Sequence, residues 1–143
     1  MSGELVKISI RFDGTDTSGV RGVAAADILV GFEAELFVLD SHGRELVREP
    51  CFPVAELARE LSAWLRGGLH DDFTYESDSY EEVGYVVFAH IGEMWRFSTV
   101  LAPTVGEYMS AAELTEAIEE FVADVRADLT RQGLNDERVL GRN

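Results

Sequence analysis

The residues from His70 to Glu82, HDDFTYESDSYEE, hold the densest collection of chemically capable side chains in the sequence. Asp71, Asp72, Glu76, Asp78, Glu81 and Glu82 alternate with the aromatics Phe73, Tyr75 and Tyr80, and His70 is the only side chain there able to carry a positive charge. So many like charges repel unless a cation or a basic protein neutralises them. Tyr75 and Tyr80 would add desolvated contact area, which is how tight interfaces gain energy. A second acidic surface is expected on the final helix. Glu113, Glu116, Glu120, Asp124 and Asp128 fall within roughly 120° of the helical circumference, opposite its apolar stripe. Only Arg131 can offset that line, whereas exposed helices usually carry compensating pairs four residues apart. Contact with a partner is therefore expected through Asp71, Asp72, Tyr75, Glu76, Asp78, Tyr80, Glu81, Glu82, Glu113, Glu116, Glu120 and Asp124. The alternative for both stretches is a solvated acidic surface.

Other chemistries find less support. Asp13-Gly14-Thr15-Asp16 lacks the alternating ligands and closing Glu of a calcium loop. His-x-x-x-His and paired cysteines, the usual zinc ligands, do not occur. Neither G-x-S-x-G, a P-loop nor G-x-G-x-x-G is present. His42, His70 and His90 stand near no motif serine or cysteine, and Cys51, between Pro50 and Phe52, reads as a small core residue. No catalytic residue, metal or cofactor is expected, and the chain is not expected to be an enzyme.

Charge narrows the partner class. The 143 residues contain 27 acids against 12 Lys and Arg, a net charge of −15, and the only lysine is Lys7. Such a surface repels nucleic acid and anionic membranes, which need a basic footprint, and speeds encounter with a basic protein. Acidity that serves solubility alone is the competing explanation. Hydrophobic content of 46% with 10% aromatics is that of a globular chain long enough to bury a core. A lone cysteine excludes an intramolecular disulfide and suits a reducing cytosol. The opening MSGELVKISIRF lacks the basic and apolar regions of a signal peptide, so a cytoplasmic location is expected.

The elements that must position these residues follow from periodicity. Residues 4–12 alternate as a half-buried strand, with a turn cluster from Asp13 to Gly19 in a loop reaching about Ala26. A longer strand is expected from Asp27 to Asp40, with Ile28, Val30, Phe32, Ala34, Leu36 and Val38 on one face. Ser41 to Arg44 turns the chain into a strand over Glu45–Glu49, where Pro50 and Pro53 stop pairing. In the following helix Val54, Leu57, Ala58, Leu61, Trp64 and Leu65 share a face, and Gly67-Gly68 ends it. Phe73–Ser77 reads as an edge strand, and Tyr85–Ile91 with Met94–Leu101 as a hairpin turning at Gly92-Glu93 in a type II′ turn. Ser110 and Glu113 form a capping box for a final helix ending at Gly133. The expected fold is a single α+β domain over residues 1–133 with a mostly antiparallel sheet of about six strands and two helices, order β-β-β-α-β-β-β-α. Residues 134–143 are expected to be a loose polar tail.

The stretches Ala26–Val30, Phe52–Leu65, Phe73–Ser77 and Trp95–Val100 resemble a group of small, mostly uncharacterised actinobacterial proteins. These share an ADILV-type strand, an FPVxELAxxLxxWL helix, an FxxES segment and a final aromatic hairpin. The resemblance covers roughly residues 20–101 and leaves the last helix outside. The group looks like the immunity-type proteins encoded beside secreted polymorphic toxins. It implies a binding protein that covers the cationic site of a basic toxin, and it supplies no catalytic residue. A self-associating housekeeping or regulatory domain, a homodimer through a sheet edge, is the alternative.

Overall fold

The computed structural model describes residues 8–22, 24–76, 84–101 and 107–141. The elements are β1 (Ser9–Asp16), α1 (Ala25–Gly31), β2 (Glu33–Leu39), β3 (Glu45–Phe52), α2 (Val54–Arg66), β4 (Phe73–Thr74), β5 (Val87–Ile91), β6 (Met94–Ser98), β7 (Glu107–Met109), α3 (Ala111–Arg131) and α4 (Asp136–Leu140). The α+β class is as expected, but the strands divide into two antiparallel sheets, β1-β2-β3 and β4-β5-β6-β7. Both sheets turn their apolar faces into one core with α2 at its centre. Val54, Ala55, Leu57, Ala58 and Leu61 of α2 are fully buried. Trp64, half-buried on the same helix, stacks on Phe88 at 5.9 Å and meets Trp95 edge-on at 5.2 Å. Phe52 joins the two sheets through Tyr75 and Tyr85, with centroids 5.1 and 6.0 Å away.

Local signals hold where they are strongest. Ser110 Oγ accepts from the Glu113 amide and Glu113 Oε1 from the Ser110 amide, both at 3.1 Å, completing the capping box. At the β5–β6 turn Gly92 has φ 63° while Glu93 stays out of the positive-φ region, as a type II′ turn requires.

Six expectations need correction. The segment read as one strand over Asp27–Asp40 begins as α1, and only Glu33–Leu39 is β2. Ile28 and Phe32, four residues apart, are buried together, while Val30 between them is 62% exposed. Alternation would have buried all three; helical spacing puts Val30 on the far side. Gly31 closes α1 against the loop after β1. A Cβ there would come within 2.4 Å of Gly19 C and Val20 N. β1 also runs past the expected stop at Phe12, through a register shift between Asp13 and Asp16.

β3 is not stopped by Pro50. Ala34 pairs with Phe52 and Leu36 with Glu49, so β3 carries one extra residue in a bulge, which tolerates a residue with no N–H. The bulge turns Cys51 outward at φ 54°, so the cysteine is exposed rather than in the core. The strand count also changes, because Glu107–Met109 pairs with β6 as β7. Finally, residues 134–141 are not a loose tail. Asn135 Oδ1 caps α4 by accepting from the Arg138 amide at 3.1 Å, and Val139 and Leu140 are buried.

Candidate functional site

The second sheet has two unlike faces, fixed by register. Phe88 faces Phe97 across β5 and β6, His90 faces Trp95, and Trp95 faces Met109 on β7; these side chains share the core side. The alternate positions Thr74, Val87, Ala89, Ile91, Met94, Arg96, Ser98 and Tyr108 lie on the outer side. Ile91 is 50% and Tyr108 44% exposed, and Val100 and Leu101 just past β6 are exposed as well. Four of the five exposed large hydrophobics among the described residues therefore gather on or beside this sheet. Among these outer positions of the described strands Arg96 is the charged one, its guanidinium over the Tyr108 ring at 5.9 Å.

Carboxylates rim that face. Phe73 and Tyr75 are buried, while Asp72, Thr74 and Glu76 are exposed along the β4 edge. Glu93 sits in the turn beside Ile91 and Met94, and Asp71 at the corner below β4. Asp71, Asp72, Glu76 and Glu93 are all exposed, and among the described residues none has an ion-pair partner. The corner itself is held firmly. Trp64 Nε1 donates to the Asp71 carbonyl at 2.8 Å, and the His90 amide donates to Asp72 Oδ1 at 2.9 Å. His90 in turn stacks on Trp95 at 4.6 Å.

On the first sheet Glu35 and Glu45 are paired internally. Arg48 lies over the Phe37 ring and bridges Glu35 and Glu45 at 3.3 and 3.2 Å. The hydrogen bond and charge of Glu35, with the charge of Glu45, raise the Arg48 pKa further above its already high ordinary value. In the β2–β3 turn, burial by itself would raise the pKa of Asp40. Bonds from the Arg44 amide and Nε and the His42 amide outweigh that and hold it below the usual 3.8.

The expected partner-binding residues separate into four groups. Asp71, Asp72 and Glu76 stand at the rim just described. Tyr75 is corrected: it is 1% exposed, packs on Phe52 and donates its hydroxyl to Glu56 Oε1 at 2.6 Å, so it belongs to the core and not to a contact surface. Asp78, Tyr80, Glu81 and Glu82 lie outside the described residues. The helix acids are elsewhere. α3 packs on α2, β1 and β6, and it carries Glu116, Glu120 and Asp124, all exposed, on an element separate from the rim. Glu113 is engaged in the capping box, and Asp128 is buried, accepting from Thr15 Oγ1 at 2.7 Å and paired with Arg131. Among the described residues, the acids of the two stretches thus stand on different elements, β4 and its flanks on one hand and α3 on the other.

The outer-face residues Ile91, Met94, Arg96 and Tyr108 were not singled out from the sequence. Alternation about Trp95 and Phe97 carried the signal for Met94 and Arg96, whereas β7 is too short to show a period. Among the described residues no group of three His, Cys, Asp or Glu stands where it could hold a metal ion, and no helix is long and apolar enough to cross a membrane.

Residues 8–131 match the family model described as a domain of unknown function (DUF7878). The chain belongs to this family. The matched span is wider than the resemblance over residues 20–101: it takes in β1 and the whole of α3 and stops before α4. No curated protein and no solved structure matches the chain.

Proposed function

We propose that this DUF7878 protein is a non-enzymatic binding module that docks a basic protein on the outer face of its second sheet. The observation that carries this is the pairing of an apolar patch, Ile91, Met94 and Tyr108 set around Arg96, with the carboxylates Asp71, Asp72, Glu76 and Glu93, none of which has an ion-pair partner among the described residues. An apolar centre with a polar rim is the anatomy of a specific interface. The rim charges would steer a cationic partner to the face, and the apolar centre would hold it. Four strands about 4.8 Å apart give a centre only about 15 Å across, so the rim must contribute to reach the ~800 Å² per partner of a stable complex. Two copies meeting here would bring like-charged rims together in a chain of net charge −15, which favours a different, basic protein over a homodimer. The immunity-type resemblance makes a basic toxin the partner class of choice, met inside the cell.

The test is binding kinetics with a partner recovered from the native host, at two salt concentrations. Replacing Asp71, Asp72, Glu76 and Glu93 by Asn or Gln should slow association and flatten its salt dependence, because screening acts on steering. Ile91→Thr with Tyr108→Ser should instead speed dissociation. A partner that binds both variants like the wild type at either salt would sink the proposal.

A further inference from the structure

On the other side of α2, independent of the sheet face, an open groove of about 1090 Å³ runs between α2, α3 and α4. Its size is comparable to the ~300–1,000 Å³ of small-molecule sites. Leu65, Leu69, Val122 and Ala123 supply apolar walls, and Arg66 and Arg126 line it as well. In a chain with 12 basic residues against 27 acids, two arginines in one apolar groove need a reason.

Arg126 is only 14% exposed on its side chain. Its Nη1 donates to Asp136 Oδ2 at 2.7 Å and to the Gly141 carbonyl at 2.9 Å. Its Nε is buried and has no partner among the described residues. A buried donor without an acceptor is costly, and a guanidinium asks for an oxygen. Arg66 stands beside the same stretch of chain: a Cβ on Gly141 would be 3.9 Å from its Nη1. Ser62 Oγ accepts from that Nη1 at 2.9 Å, and no described carboxylate pairs with Arg66. Asp136 cancels the charge of Arg126, so this end of the groove keeps one net positive charge, that of Arg66. Glu119, seven residues earlier on α3, lies about 10 Å away along the helix axis and would turn an anionic head from its own end.

We propose that the groove binds a small amphiphile with a single carboxylate, its head on the exposed Arg66 beside the Arg126 guanidinium and its aliphatic body along Leu65, Leu69 and Val122. A monoanion matches the one uncompensated charge, and Arg–carboxylate bonds are among the stronger ones available.

Calorimetric titration with octanoate tests this, at about 0.15 M salt so that distant carboxylates are screened beyond about 8 Å. The wild type should bind octanoate saturably and more tightly than 1-octanol. Ala123→Trp, at an exposed position on α3, should fill the groove and abolish binding without changing the melting temperature. Arg66→Gln, also exposed, should weaken octanoate about tenfold and leave 1-octanol unchanged, the loss expected for one charge-assisted bond. Octyl phosphate, with more charge than the site can match, should bind no more tightly than octanoate. Failure of octanoate to bind, full binding by Ala123→Trp, or indifference to Arg66→Gln would each overturn the site. Tighter binding of octyl phosphate would overturn its assignment to a carboxylate.

Discussion

Tyr75 separates two accounts of the acidic stretch by a single stability measurement. On an exposed loop its replacement would change stability by no more than about 0.5 kcal/mol. In the structure the ring is 1% exposed and packed on Phe52 at 5.1 Å, and the hydroxyl is bonded to Glu56 at 2.6 Å. Tyr75→Ala removes a whole buried ring and should cost about 3–5 kcal/mol. At about 3 °C per kcal/mol for a domain of this size, the melting temperature should fall by about 10–15 °C. Tyr75→Phe keeps the ring and loses only the bond to a half-buried carboxylate. Its cost should lie near 1–2 kcal/mol, at or below the usual range for bonds to charged groups because water partly replaces the donor at Glu56. Chemical denaturation of both variants and of Glu56→Gln, with the Tyr75→Phe/Glu56→Gln pair as a double-mutant cycle, gives the coupling directly. A Tyr75→Ala midpoint equal to that of the wild type would place the ring at the surface and refute the inward assignment.

Three further outcomes are expected. Gly31→Ala should destabilise by about 3 kcal/mol or more, since its Cβ would collide with the backbone of Gly19 and Val20 and neither can rotate away; unchanged melting would show that α1 does not pack there. Ser110→Ala should cost ~1 kcal/mol through loss of the capping bond to Glu113, measured by thermal melting with helix content as the probe. Asp40→Asn should be less stable than the wild type at neutral pH. Because folding lowers the Asp40 pKa, its contribution is present above the unfolded value near 3.8 and fades as pH falls through the folded value. The stability gap should therefore start to narrow below about pH 4, and a gap undiminished at pH 2 would rule out the carboxylate as its source.

The placing of the described acids on two separate elements, the β4 edge and α3, shows why charge counts alone do not define a surface. Asp72 and Glu76 flank the buried Phe73 and Tyr75 and stay exposed at the β4 edge, Asp72 there accepting from the His90 amide. Asp128 belongs by spacing to the solvent face of α3, yet Thr15 of β1 and Arg131 enclose it. Which acids remain free for a partner depends on what packs beside them.

By itself the sequence determined whatever short-range physics decides. The apolar face of α2, the Gly92 turn, the capping box at Ser110 and the core side of Trp95 and Phe97 all follow from period, turn chemistry and caps within a dozen residues. Only the tertiary structure decided the rest. Residues 27–32 fit an alternating and a helical pattern equally in their apolar positions, and the choice fell to helix because Ile28 and Phe32 find the core together while Gly31 closes on Gly19. Pro50 and Cys51 stay within a strand because β2 supplies a partner and a bulge absorbs the missing donor. Val139 and Leu140 are too few to announce a helix, and become one where α2 and α3 leave apolar surface to cover. Tyr75 turned inward for the same reason: the core had room for its ring, and Glu56 offered its hydroxyl a partner.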